Sequence, residues 1–162
     1  PVQGLRGETW KAMEYLLEEG KCLAIGVSNY MIHHLKELLA DANVVPAVNQ
    51  VEFSPYLFQR DLLEFCRSHG IQLEAYSPLT KGRKLKDPQL VSIASKYSRT
   101  PAQILIRWVL QHEVIVIPKS TNRDRIYENA NIFDFDITSK DMDLLNSFDE
   151  GFVTGWDPRN AP

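Results

Sequence analysis

The sequence has few cysteines, no long apolar run and little net charge, and each shortage excludes a class of protein. Its two cysteines, Cys22 and Cys66, are too few and too far apart for a zinc site or a disulfide scaffold, which favours a reducing, cytoplasmic location. No apolar stretch approaches the roughly 20 residues of a membrane-spanning helix, and the N-terminus shows no signal-peptide pattern. A net charge of −3 is small and of the wrong sign for a dedicated nucleic-acid binder. We therefore expect no membrane and no nucleic-acid partner.

The common signatures of phosphate-binding and catalytic loops are missing as well. Neither GxGxxG nor GxxxxGK[ST] occurs, and no GxSxG elbow is present. The histidines form no pair at metal-ligand spacing, so we predict no metal site. Cys66 shares an apolar helical face with Leu62 and Phe65, which favours a packed core thiol over a nucleophile.

Strand-like and helix-like segments alternate along the chain. The predicted strands read LAIGVSN (23–29), PAVNQVEF (46–53), IQLEAYSPL (71–79) and VIVIPK (114–119). Strands that alternate with helices pair in parallel, so the pattern predicts an α/β protein with one domain over residues 1–162. Four such units make either a small open sheet or half of an eight-stranded barrel. Because the chain begins at Pro1, it is consistent with a piece of a longer protein.

Several residues predict where the helices begin and end. Thr100, Pro101 and Gln103 match an N-cap, a first-turn proline and a capping-box partner. Gly20 and Gly70 stand where a left-handed residue ends a helix. The last two helices are predicted to carry Ile126, Ala130 and Phe133, and Met142, Leu145 and Phe148.

Polar side chains follow every predicted strand at its C-terminal end, where parallel α/β folds bind ligands. They are Ser28 and Asn29, then Asn49, Gln50 and Glu52, then Tyr76 and Ser77, then Lys119 and Ser120. A strand end leaves the core and needs hydrogen-bonding groups in any case, so a single such end indicates little. Four successive polar ends favour a shared ligand pocket.

The stretch VIVIPKSTNRDRIYENA (114–130) allows two interpretations of equal weight. Lys119 and Ser120 precede a helix whose free N–H groups and positive dipole end favour an anion, and Arg125 lies one turn further on. These features predict a phosphate site. An ordinary solvated helix start, capped by Ser120, Thr121 or Asn122, explains the same residues.

Taken together, GVSN, AVNQVEF, AYSPL and IPKS followed by R and EN resemble the C-terminal half of an aldo-keto reductase. Members of this family are NADPH-dependent carbonyl reductases built on a (β/α)8 barrel. The resemblance covers nearly the whole chain, with the motifs in the family's order. It implies a parallel TIM-barrel-type fold of which the C-terminal four β/α units, the C-terminal helices and a tail at 150–162 are present.

The resemblance also implies that the chain carries most of an NADP(H) site. Ser28, Asn29 and Gln50 would form hydrogen bonds with the nicotinamide carboxamide, since hydroxyl and amide groups both donate and accept. Tyr76 would stack on the nicotinamide ring.

The phosphates of the cofactor would be held at the last two strand ends. Ser77 and Leu79 would contact the pyrophosphate. Lys119, Ser120 and Arg125 would hold the adenosine 2′-phosphate, which favours NADP over NAD.

Glu128 and Asn129 would meet the adenine edge. The loop after Leu79, TKGRKLK, departs from the family pattern, in which a small polar or glycine-containing segment folds over the cofactor. Its basic residues are Lys81, Arg83, Lys84 and Lys86, a cluster that is usually solvated but attracts anions where it borders a pocket.

The family's proton-donor tyrosine and its supporting lysine, aspartate and histidine belong to the first four strands, and no tyrosine of this chain matches that motif. We therefore predict no catalytic residue here. The expected function is reduction of aldehydes and ketones by the complete barrel, with this chain inactive alone. A non-catalytic nucleotide-binding or interaction module is the alternative, and unpaired strand edges would then favour self-association.

Overall fold

The computed structural model describes residues 5–161; residues 1–4 and 162, the ends of the predicted 1–162 domain and of the 150–162 tail, lie outside the described part. The helices are α1 Leu5–Glu18, α2 Ile32–Asp41, α3 Arg60–Ser68, α4 Pro88–Lys96, α5 Pro101–Gln111, α6 Arg123–Ala130 and α7 Ser139–Asn146. The strands are β1 Val27–Ser28, β2 Val48–Glu52, β3 Gln72–Tyr76 and β4 Ile115–Val116. Within residues 5–161 no helix is long and apolar enough to cross a membrane.

The described residues form two compact units. The first contains residues 5–51, Arg60–Leu73 and residues 156–161; the second contains Glu52–Gln59 and Glu74–Gly155. The strands make a four-stranded sheet in the order β1-β2-β3-β4. β1 pairs in parallel with β2, and β3 pairs in parallel with β4. The predicted parallel α/β fold is confirmed.

The two outer strands are much shorter than the sequence predicts. β1 covers Val27–Ser28 of the predicted 23–29, and β4 covers Ile115–Val116 of the predicted 114–119. Each stands at one end of the strand order, so among the described residues it has a neighbour on one side only. Pro118 has no N–H and cannot extend the ladder of β4.

Gly26 is required where the chain enters β1. A Cβ atom there would lie 2.8 Å from the Val48 carbonyl oxygen, closer than a real Cβ approaches backbone. The missing side chain therefore lets this segment run close to β2 just before the polar end of β1.

The first unit is built around Trp10, Ile25 and Leu38, all nearly fully buried. Met13 and Leu17 of α1 pack against this cluster, as their helical spacing with Trp10 predicts. The Trp10 indole N–H donates to the Val44 carbonyl at 3.1 Å, so the one polar group of this buried ring has a hydrogen-bond partner.

The second unit is built around α5. Its start has the predicted capping box: the Thr100 side chain accepts from the Gln103 N–H, and the Gln103 side chain accepts from the Thr100 N–H. Further along α5, the Trp108 ring is fully buried and stacks on Phe53 with centroids 5.1 Å apart.

Helix α6 contains the predicted Ile126 and Ala130 but not Phe133, and its apolar side chains are exposed. Ile126 is 52% exposed, Phe133 is 75% exposed, and Ala130 is exposed. The helix ends at Ala130, so Phe133 no longer follows its periodicity. Asn129 is the buried residue of α6 instead, which turns a polar side chain inward.

His34 in α2 is a buried histidine with both ring nitrogens engaged. Nδ1 lies 3.1 Å from the Met31 N–H and accepts from it, so the proton of the neutral ring is on Nε2, 3.0 Å from the Ala161 carbonyl. Burial lowers the pKa of His34 and outweighs the opposing hydrogen bond to that carbonyl. The neutral form is therefore the one that fits the fold.

We predict that this histidine makes stability fall in mild acid. Because the folded state resists protonation, its contribution is complete above a pH of about 6.5, the ordinary histidine pKa, and declines below it. Urea unfolding between pH 7.5 and 5.5 will show the decline in the unmodified chain, and His34→Gln will flatten it. An unchanged slope in His34→Gln would contradict the assignment.

Candidate functional site

Three predicted site residues meet where the end of β1 lies beside the middle of β2 in the first unit. Ser28 and Gln50 are register partners, and the Ser28 hydroxyl donates to the Gln50 carbonyl at 3.0 Å. The Asn29 N–H donates to the same carbonyl at 2.8 Å. The carbonyl of Gln50 therefore aligns the backbone that carries all three side chains.

Residues other than glycine adopt positive φ just after β1 and β3, and within residues 5–161 also after two helices, at Ser98 and Glu113. Asn29 has φ 59° and Ser77 has φ 49°, both in the left-handed region that side chains with a Cβ seldom adopt. Thr80 and Lys81, each with φ 52°, repeat the feature in the loop after β3. Such strain persists where the surroundings impose it, and it is commonest at ligand and active sites.

A cavity of about 780 Å³ opens in the second unit. Seven of the eleven predicted cofactor residues line it: Ser77, Leu79, Lys119, Ser120, Arg125, Glu128 and Asn129. The segments that contribute them follow β3 and β4 and run into α6. A volume of this size is typical of small-molecule and cofactor sites.

The remaining four predicted residues lie outside the lining of this cavity. Ser28, Asn29 and Gln50 belong to the first unit and form the group described above. Tyr76 is the last residue of β3, half-buried, directly before Ser77. Its stacking role stays a prediction.

The cavity concentrates positive charge in an acidic chain. Four cations, Lys81, Lys86, Lys119 and Arg125, line it together with one carboxylate, Glu128. The whole chain has a net charge of −3. An anionic ligand is therefore attracted to this wall more strongly than to the average surface.

The start of α6 combines the two interpretations that the sequence left open. Asn122 is the N-cap, and its side-chain oxygen accepts from the Arg125 N–H at 3.0 Å. Ser120 accepts from the Asn122 N–H at 3.1 Å. The helix start is thus capped in the ordinary way, and the side chains of Lys119, Ser120 and Arg125 nevertheless line the cavity.

The basic loop after β3 borders the cavity and also contacts the C-terminal tail, residues 150–161. The Lys81 ammonium, which lines the cavity, donates to the Thr154 carbonyl at 3.1 Å. The N–H of Thr154 donates in turn to both carboxylate oxygens of buried Glu52, at 3.0 and 3.2 Å. A polar strand-end residue, Glu52, therefore anchors the tail and does not line the cavity.

Lys84 lies outside the cavity lining and makes a second attachment to the tail. It forms an ion pair with Glu150 and lies 4.7 Å from the centroid of the Phe152 ring. The Lys84 ammonium also lies 5.2 Å from the centroid of the Tyr56 ring. Burial, with the nearby Asp87 carboxylate, raises the pKa of Tyr56, so this phenol stays protonated over the ordinary pH range.

Lys81 and Lys86 belong to the basic cluster that was expected to attract anions where it borders a pocket. Sequence reasoning missed other residues of the cavity wall, namely Pro78, Gly82, Leu85, Thr100, Pro101, Ala102 and Thr121. Thr100 and Pro101 were recognised only as a helix start. Their capping box indicates that an apolar helix follows. It gives no information about the contact between Thr100 and Glu128, which lies 28 residues further along the chain.

The buried thiol is not part of a reactive site. Cys66 is fully buried, and burial raises its pKa to about 11, so it remains protonated at neutral pH. Across residues 5–161 the structure contains no group of three or more His, Cys, Asp and Glu side chains placed to hold a metal ion.

Comparisons with known proteins agree on one family. The sequence model of the Aldo/keto reductase family matches residues 6–150. The chain is 49% identical over 160 residues to the uncharacterized oxidoreductase YtbE of Bacillus subtilis, covering 99% of this chain and 57% of that protein. It is 49% identical over 151 residues to glyoxal reductase of the same organism, covering 93% of this chain and 55% of that protein.

Solved structures give the same result. A mutant of Gox0644 in complex with NADPH superimposes with a TM-score of 0.90 at 45% identity, covering 96% of this chain and 58% of that one. An aldo-keto reductase, AKR2E5, complexed with NADPH gives 0.86 at 38% identity, over 92% of this chain and 49% of that one. The chain thus spans about half the length of the curated relatives it matches.

Proposed function

Because the chain belongs to the aldo/keto reductase family, we propose that it is the NADP(H)-binding half of a carbonyl reductase. In this proposal it forms the last four β/α units of a (β/α)8 barrel, and the complete barrel reduces aldehydes or ketones to alcohols. Structural neighbours in complex with NADPH and a glyoxal reductase relative support the cofactor and the substrate class.

One observation carries the proposal: the cavity of the second unit combines a cofactor-sized volume with a strongly positive wall. Lys119 and Arg125 would bind the 2′-phosphate, since a doubly charged phosphate gains most from charge-assisted hydrogen bonds. Ser77 and Leu79 would meet the pyrophosphate. Glu128 and Asn129 would meet the adenine.

The hydride chemistry belongs to the nicotinamide, which supplies a hydride when it is bound in reduced form. The residues of this chain would orient that ring. Ser28, Asn29 and Gln50 offer a hydroxyl and two amides for its carboxamide, and Tyr76 offers a flat aromatic face. The proton donor would come from outside this chain.

Titration of the purified chain with NADPH, followed by quenching of tryptophan fluorescence, tests the cofactor part. We expect saturable binding without turnover of a small aldehyde. Turnover should appear when the chain is produced together with the segment of B. subtilis glyoxal reductase that precedes the matched region. Turnover by the chain alone would contradict the assignment of the acid-base residues to the other half.

A second candidate function is a nucleotide-binding or interaction module without catalysis. Exposed apolar side chains at β4 favour it, since Ile115 is 43% and Ile117 41% exposed beside a strand with one described neighbour. Such an edge pairs readily with another chain, including a second copy. NADPH binding that no added half converts into turnover, with a dimer in light scattering, would favour this candidate.

A further inference from the structure

We propose that Thr100 is a positioning residue that sets the base selectivity of the cavity by orienting the Glu128 carboxylate. The inference rests on the proposed function, because it assumes that a nucleotide occupies the cavity. It assigns a second task to a helix-capping hydroxyl of the cavity wall.

The first observation is a directed pair of hydrogen bonds at Thr100. Its hydroxyl accepts from the Gln103 N–H at 3.3 Å and lies 2.8 Å from Oε1 of Glu128. A carboxylate can only accept, so the hydroxyl proton is committed to Glu128. The capping interaction therefore fixes which group the hydroxyl faces and which way its proton points.

The second observation is that the backbone of Glu128 is anchored to the same capping box. The Gln103 side-chain amide donates to the Glu128 carbonyl at 3.1 Å and to the Asn131 carbonyl at 2.8 Å. Glu128 is thereby held both at its backbone carbonyl and at one carboxylate oxygen. Its second oxygen, Oε2, has no hydrogen-bonding partner among residues 5–161, and Glu128 lines the cavity.

The third observation concerns the neighbouring amide. Asn129 is only 7% exposed, lines the same cavity and makes no side-chain hydrogen bond within the described chain. Glu128 and Asn129 therefore present an acceptor beside a group that donates and accepts. This set matches a 6-aminopurine, which offers an amino donor beside a ring-nitrogen acceptor. A 6-oxopurine would place its oxygen against the carboxylate.

A sharp consequence follows for Glu128→Gln. We expect the Thr100 hydroxyl, which still accepts from the Gln103 N–H, to go on donating to position 128 and so to hold the oxygen of the introduced amide, with the NH2 group facing the base. The cavity should then prefer a 6-oxo group over a 6-amino group. Without Thr100 the amide is free to turn over, so the double variant Thr100→Val, Glu128→Gln should show no such reversal.

Calorimetric titration with adenosine 2′,5′-bisphosphate and its 6-oxo counterpart, inosine 2′,5′-bisphosphate, tests the inference. We expect the unmodified chain to prefer the adenosine form by roughly tenfold to a hundredfold, the usual effect of a hydrogen bond to a charged group. Thr100→Val should reduce the preference to about threefold or less, whereas Thr100→Ser, which keeps the hydroxyl, should retain it. Glu128→Gln should reverse it.

The ratio of the two affinities separates positioning from folding. Loss of the cap in Thr100→Val lowers stability and weakens both ligands alike, whereas loss of orientation changes the ratio. If Thr100→Val does not fold, the inference is still tested by Glu128→Gln, which should prefer the inosine ligand over the adenosine ligand. A full preference in Thr100→Val, or no reversal in Glu128→Gln, would overturn the inference alone. Failure of the unmodified chain to bind either nucleotide would overturn the proposed function with it.

Discussion

Lys119→Ala and Arg125→Ala will each weaken NADPH binding by about tenfold to a hundredfold, while NADH binding changes little. Both side chains line the cavity and would pair with the 2′-phosphate, which NADH lacks. The affinity of the unmodified chain for NADPH will fall as salt rises, and both variants will show a shallower dependence. Fluorescence titrations with the two nucleotides at two salt concentrations measure all of this.

Arg123→Ala is the matched control for this prediction. It removes the same charge from the same helix, but Arg123 does not line the cavity, and its guanidinium lies 5.8 Å from the centroid of the Tyr127 ring. Its NADPH affinity should stay within about threefold of the unmodified chain. Equal losses in Arg123→Ala and Arg125→Ala would mean that net charge, not a site, attracts the nucleotide.

Trp108→Ala will lower the free energy of unfolding by about 3–5 kcal/mol. The ring is fully buried in the second unit and contacts both Phe53 and Phe58, at centroid distances of 5.1 Å each. Its indole N–H donates to the Asn146 side-chain oxygen at 2.9 Å, and the substitution also removes this hydrogen bond. Urea denaturation followed by circular dichroism gives the change in free energy.

Trp156→Ala is the control, because it removes a tryptophan that lies at the surface and not in the core. Its side chain is 59% exposed, so its removal should change stability by about 0.5 kcal/mol or less. If Trp108→Ala were equally mild, the aromatic cluster around α5 would not be the core of the second unit.

The local signals of the sequence predicted helix boundaries well. The Thr100-Pro101-Gln103 pattern predicted the start of α5 at Pro101, where the structure has it, because a capping box is a contact between residues close in sequence. Gly20 and Gly70 end their helices with positive φ for the same kind of reason. The failures are long-range: the extents of β1 and β4 depend on which strands lie beside them, and the burial of α6 depends on what covers it.

The candidate site shows the same division. Lys119, Ser120 and Arg125 were found because a helix start after a strand is visible in the sequence, and the family resemblance supplied their role. The role of Thr100 in the cavity was missed because its contact with Glu128 joins two helices, and neither segment carries a pattern that predicts this contact. The different fates of Lys81 and Lys84 could not be predicted either, since the partners of both lie in the distant tail.

The central claim is that this chain holds the adenosine phosphate end of NADPH in the cavity of its second unit. Amide chemical-shift mapping during an NADPH titration tests it most directly. The account predicts saturable shifts at the residues after β3 and β4 and at the start of α6, including Ser77, Ser120 and Arg125. Absence of saturable shifts there, or shifts confined to the groove lined by Arg6, Trp10 and Glu37 in the first unit, would contradict it.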